Sequence, residues 1–187
     1  MKFKIIVFLV LICIQISVAQ KPKTTLEWEA DRPLVWADFK GRPNNAFPFD
    51  ALTEGSLSCN FEKVSLSESK LVIQMGFDTK KSWVKVKKAT DKLLIHEQGH
   101  FDIFEIYTRI FVKKLEEENA LSGAKYGEKT QKIFEKNFDE LMKFQKKYDK
   151  ETDHSKNEEK QKEWTEKIKQ LLDDNSQYAK REILFKL

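Results

Sequence analysis

From about Lys87 to its end the chain has no proline, and apolar residues recur at intervals of three and four, a period that commits this half to amphipathic helices. Three are expected. The first runs from about Ala89 to Glu118 and stops near Ser122 and Gly123, with Leu93, Leu94, Phe101, Phe104, Tyr107, Ile110, Phe111 and Leu115 on its apolar side. The second spans about Glu128 to Tyr148, with Ile133, Phe134, Phe138, Leu141, Met142 and Tyr148 facing inward. The third follows the polar break from Asp153 to Asn157 and carries Trp164, Ile168, Leu171 and Leu172, its Lys and Glu residues forming a solvated face.

Upstream the pattern changes every few residues, with short alternating stretches separated by Gly, Pro, Asn and Ser. Leu34-Val35-Trp36 reads as a short strand, followed by a turn over Gly41 to Asn45. Ser56 to Val64 and Leu71 to Phe77 read as half-buried strands joined by a hairpin turn at Ser65 to Ser69. Leu71, Ile73, Met75 and Phe77 share one side, so one sheet face should meet a helix. The expected fold is α+β: a small N-terminal antiparallel sheet packed on about three helices. One domain is expected over residues 20–187, strand-rich over 24–85 and helical over 88–187. Its 40% hydrophobic residues, including 14 Phe, suffice for a core.

Residues 1–19 are set apart. Lys2 and Lys4 precede an apolar run from Ile5 to Val18 that is shorter than the roughly 20 residues needed to span a bilayer. Ser17-Val18-Ala19 offers small residues for signal peptidase, so cleavage is expected after Ala19, with export to a secreted or periplasmic location and no stable membrane insertion afterwards. Loss of Lys2 and Lys4 takes the formal net charge from +4 to +2, which gives little pull on anionic partners. Only 4 of the 34 basic residues are Arg, which argues against a nucleic-acid groove. Cys13 leaves with the leader and Cys59 remains alone, so no intrachain disulfide is expected; Cys59 reads as a small buried strand residue.

The chemistry lies in the first helix, at His96-Glu97-Gln98-Gly99-His100, an H-E-x-x-H pattern. With 3 His in 187 residues, about 0.005 such matches are expected by chance, so the motif carries information. Residues four apart lie about 40° apart around a helix, close enough for both imidazoles to reach one ion, expected to be Zn2+. Glu97 projects beside that ion and is the candidate catalytic base. Gly99 sits in mid-helix, where it costs about 1 kcal/mol relative to Ala, so a close approach by another backbone is expected there.

A catalytic zinc normally has three protein ligands. His154, the one remaining His, lies just past the second helix, and a helix folding back antiparallel on the first could bring it to the metal. Competing oxygen ligands are Asp102, Glu105, Asp149, Glu151 and Asp153, of which Asp102 and Glu105 point about 240° and 180° away from His96 and should face other groups. Asp149 or Asp153 could accept the second ring N–H of a ligand His, or cap the next helix. Tyr148 is a candidate oxyanion donor, with a plain core role as the alternative. The strand over Leu71 to Phe77 could receive an extended peptide by edge pairing.

The run Leu94 to Ile103, followed by Tyr148-Asp149-x-x-Thr152-x-His154, resembles the bacterial DUF922 family, whose members are described as secreted zinc-dependent proteases on the strength of the motif. Trp36-Ala37-Asp38-Phe39-Lys40-Gly41 and Ser82-Trp83-Val84 are similar to its upstream segments. The resemblance implies a zincin-like α+β fold and a metallopeptidase activity on a peptide or protein substrate. One departure is Ser155, where family sequences often carry Gly after the His. The chemistry expected is amide hydrolysis by a metal-activated water with Glu97 as general base. The rival is a non-catalytic secreted module that uses zinc to staple helices.

Overall fold

A computed structural model describes residues 24–187; the leader and cleavage site expected over residues 1–19 lie outside the described residues. The architecture is α+β. Among the described residues the strands are β1 (Thr25–Leu26), β2 (Ala51–Leu52), β3 (Gly55–Lys63), β4 (Glu68–Asp78), β5 (Trp83–Val84) and β6 (Glu182–Lys186). The helices are α1 (Asp91–Glu117), α2 (Tyr126–Thr152) and α3 (Glu158–Asp174). No helix among them is long and apolar enough to cross a membrane.

β4 is the inner strand of the larger sheet. It pairs antiparallel with β3 from Gly55 opposite Phe77 to Lys63 opposite Ser69, and on its other side with β1 and β6. Edge pairing of a peptide along Leu71 to Phe77, expected from the sequence, is narrowed to a short gap: β3 covers one side throughout, while on the other β6 reaches Val72, Ile73 donates to the Arg181 carbonyl and β1 begins at Phe77. Alternation works as read. Leu71, Ile73, Met75 and Phe77 are all at most 4% exposed and face α1, with the Phe77 and Phe101 rings 5.7 Å apart. Burying side chains of this size stabilises the fold by roughly 1.5–3 kcal/mol each. Cys59 on β3 is half-buried, and burial pushes its thiol pKa up, which makes it a packing residue.

The expected strand at Leu34 to Trp36 is not formed; a 3-10 turn over Trp36–Asp38 takes its place. The Asp38 carboxylate accepts from the Val35 N–H at 3.0 Å and is held by the Arg32 guanidinium at 2.9 Å, which bends the backbone. β6 was not expected at all, so the sheet is not purely N-terminal. Ile183 and Phe185 alternate inward against β4, and Arg181 pairs with the buried Glu105 of α1.

α1 and α2 pack antiparallel: Asn137 donates to the Tyr107 carbonyl at 2.8 Å, Gln145 to the His100 carbonyl at 2.9 Å, and Asp149 faces His96. Thr90 caps α1 by accepting from the Leu93 N–H at 3.3 Å, which fixes the start of the helix just before the motif. α2 runs one turn further than expected, to Thr152, so Asp149 lies inside the helix. α3 packs across the pair, with Trp164 5.3 Å from Tyr148 and 5.0 Å from Phe144.

Candidate metal centre

His96 and Glu97 are 2% and 4% exposed, so α1 carries the motif into the interior. The Nε2 atoms of His96 and His100 lie 3.2 Å apart, and Asp149 Oδ1 lies 3.2 Å from the first and 3.1 Å from the second. Ligand atoms at about 2.0–2.1 Å from a tetrahedral zinc stand roughly 3.3 Å from one another, so this triangle fits one ion.

The surrounding amides decide what the triangle contains. The Gln145 amide nitrogen donates to the His100 carbonyl, which turns its Oε1 to His100 Nδ1 at 2.6 Å. The Gln161 amide nitrogen donates to the Tyr148 hydroxyl at 2.8 Å, which turns its Oε1 to His96 Nδ1 at 3.1 Å. Each Nδ1 therefore carries the proton, and in the neutral rings each Nε2 offers a bare lone pair. Two lone pairs and a carboxylate oxygen converge with no proton among them, an arrangement that calls for a cation. Without one, the site draws in protons. Burial opposes charge on His100, yet the hydrogen bond its ring donates to Asp149 and the charges of Glu97 and Asp149 raise its pKa overall. Burial likewise works against the Asp149 carboxylate, but contacts with His100 and His96 hold it well below the usual carboxylate range.

Tyr148 is not free to serve as an oxyanion donor, which corrects that expectation. It is fully buried, its ring stacks on His96 at 4.6 Å, and its hydroxyl donates to the His96 carbonyl at 3.1 Å. Its hydroxyl oxygen would lie 2.3 Å from a Cβ at position 99, which gives the reason for Gly99. The close approach is by a side chain, not a backbone.

The third-ligand expectation is revised in the same way. Asp149, one of the competing oxygen ligands and also an outer-shell candidate, stands in the triangle, and its ligand atom lies with those of His96 and His100 within 4.8 Å of one another, a group that does not include His154. His154 borders it: Nδ1 is 3.2 Å from Asp149 Oδ1, and the ring packs on Phe49 at 4.7 Å. Asp153, His154 and Ser155 all take positive φ, at 46°, 51° and 73°. This left-handed turn lets the chain reverse at once and leaves His154 at the cleft mouth. Asp153 neither joins the cluster nor caps the next helix; Asn157 does the capping. Nothing in the residue pattern named Gln145 and Gln161, although Gln145, four residues before Asp149 on its helix face, was the more findable.

Glu97 accepts a 2.7 Å hydrogen bond from Thr53, in the loop between β2 and β3, and lines the same cleft as the triangle. The cleft, of about 620 Å³, lies between that loop and the α1–α2 groove. Asp102 and Glu105 face elsewhere, as the helix angles required. Asp102 accepts from Trp28 and Gln98, both at 2.7 Å, and Glu105 holds Arg109 and Arg181. Gln98 also accepts from the Leu34 N–H at 2.7 Å, so the motif's outer face ties the N-terminal segment to α1.

Residues 64–155 match the model of a family described as bacterial protein of unknown function (DUF922), and this supports the family likeness of the H-E-Q-G-H-F-D segment. The matched stretch contains the whole triangle and Glu97. No curated protein and no solved structure matches the chain.

Proposed function

We propose that this DUF922-like chain is an exported zinc-dependent peptidase of zincin-like architecture, with His96, His100 and Asp149 as metal ligands and Glu97 as general base. The observation that carries the reading is the meeting of two ring nitrogens and a carboxylate oxygen in a cleft that also holds a buried glutamate. A zinc ion there would supply Lewis acidity and make water acidic near neutral pH. The chain's own part is to place and move protons. Glu97, oriented by Thr53, takes the proton of the attacking water while hydroxide adds to the amide carbon; it then gives that proton to the amine nitrogen as the C–N bond breaks. Gln145 and Gln161 keep both rings in the required tautomer throughout.

A second reading draws on the 3.2 Å contact between His154 and Asp149. If His154 closed the coordination as a fourth ligand, the site would be a structural staple and the protein a zinc-binding module. One experiment separates them: zinc-loaded wild type and Glu97→Gln are compared on a broad peptide mixture at equal metal content. Cleavage by wild type, lost in Glu97→Gln with zinc retained, supports the peptidase. No cleavage by either protein leaves the staple.

A further inference from the structure

The cleft changes character on one side of the triangle. Phe104 lies one turn past His100 on the same face of α1, while Met142 and Phe138 lie three and seven residues before Gln145 on the antiparallel α2. All three line the cleft that holds His96, Glu97 and Asp149. The wall they form is fixed at its base, because Phe104 is 7% exposed and its ring lies against Gly55 of β3, where an added Cβ would come within 2.4 Å of it. At the rim Met142, beside the buried Leu141 and about one turn before Gln145, is 39% exposed. Three apolar side chains thus line the same cleft as the metal triangle, on the side where α1 and α2 run away from Asp149.

We propose that Phe104, Phe138 and Met142 form a subsite for a large apolar side chain, of the Leu, Met or Phe type, on a residue flanking the scissile amide. The inference rests on the peptidase reading and deepens it. Substrates are polypeptide segments that expose such residues, and the three aliphatic carbons that separate Leu from Ala correspond to a preference on the order of 50-fold.

The test incubates zinc-loaded protein with a randomised peptide library and identifies the cleaved bonds by mass spectrometry. Enrichment of Leu, Met and Phe at one position beside the cleaved bond is expected. Met142→Lys, at an exposed position where folding is not at stake, should cut that preference at least tenfold and favour Asp and Glu instead. Cleavage without enrichment overturns the subsite, as does an enrichment that neither Met142→Lys nor Phe138→Ala alters. Absence of all cleavage overturns the peptidase reading itself, a separate failure.

Discussion

The hydroxyl of Tyr148 occupies space that only a glycine at position 99 leaves open, 2.3 Å from where a Cβ would stand. The same hydroxyl donates to the His96 carbonyl and accepts from Gln161, so the ring, the motif helix and α3 are locked together. Gly99→Ala sets two effects against each other. Helix propensity favours Ala by about 1 kcal/mol, whereas a buried, twice-bonded hydroxyl cannot move cheaply and overpacking costs about 1–3 kcal/mol. The clash should win: thermal unfolding is expected to shift to lower temperature, with weaker zinc binding. A variant at least as stable as wild type would show that the contact relaxes freely.

In the proposed centre Gln145 and Gln161 would act on the metal through the rings. Replacing Gln145 with Met keeps its length but removes the acceptor that holds His100 Nδ1. Zinc affinity should fall about 10- to 100-fold, the usual effect of losing such a partner, while circular dichroism stays unchanged. Unaltered affinity in a competition titration would remove the glutamine from the account.

Ser155 takes φ of 73°, in a region that L side chains avoid. The left-handed conformation costs a non-glycine residue about 1–2 kcal/mol, and the extra freedom of an unfolded glycine takes back roughly 0.5–1 kcal/mol. Ser155→Gly is therefore expected to stabilise by up to about 1 kcal/mol, read as a rise in melting temperature. Destabilisation would mean that the turn relies on the serine.

The raised pKa of His100 would give the proposed zinc binding a pH dependence of definite sign. Below that pKa the cation-free ring is protonated, and zinc must displace the proton. Apparent affinity should fall as pH falls, by about tenfold per unit for each proton released, and level off above the pKa. An affinity constant between pH 8 and pH 5.5 would contradict this.

Much of the fold was legible because period and burial agree. The four inward residues of β4 and the apolar stripes of the three helices follow from alternation and from spacings of three and four, and the H-E-x-x-H helix brought Glu97 and both His residues with it. What escaped depended on contacts distant in sequence. The bend at Trp36–Asp38 is made by Arg32 and the Asp38 carboxylate, and β6 forms only because β4 has a side to pair with, so neither shows in local propensity. The ligand assignment turned on helix length. One extra turn of α2 brings Asp149 into the triangle and sets His154 beside it, a placement that a helix boundary a few residues out conceals.

Zinc content of purified protein, measured by mass spectrometry together with Asp149→Ala and His154→Ala, tests the metal centre most directly. One zinc per chain is expected in wild type, near-complete loss in Asp149→Ala, and retention in His154→Ala. Full occupancy in Asp149→Ala, or none in wild type supplied with zinc, would contradict the site described.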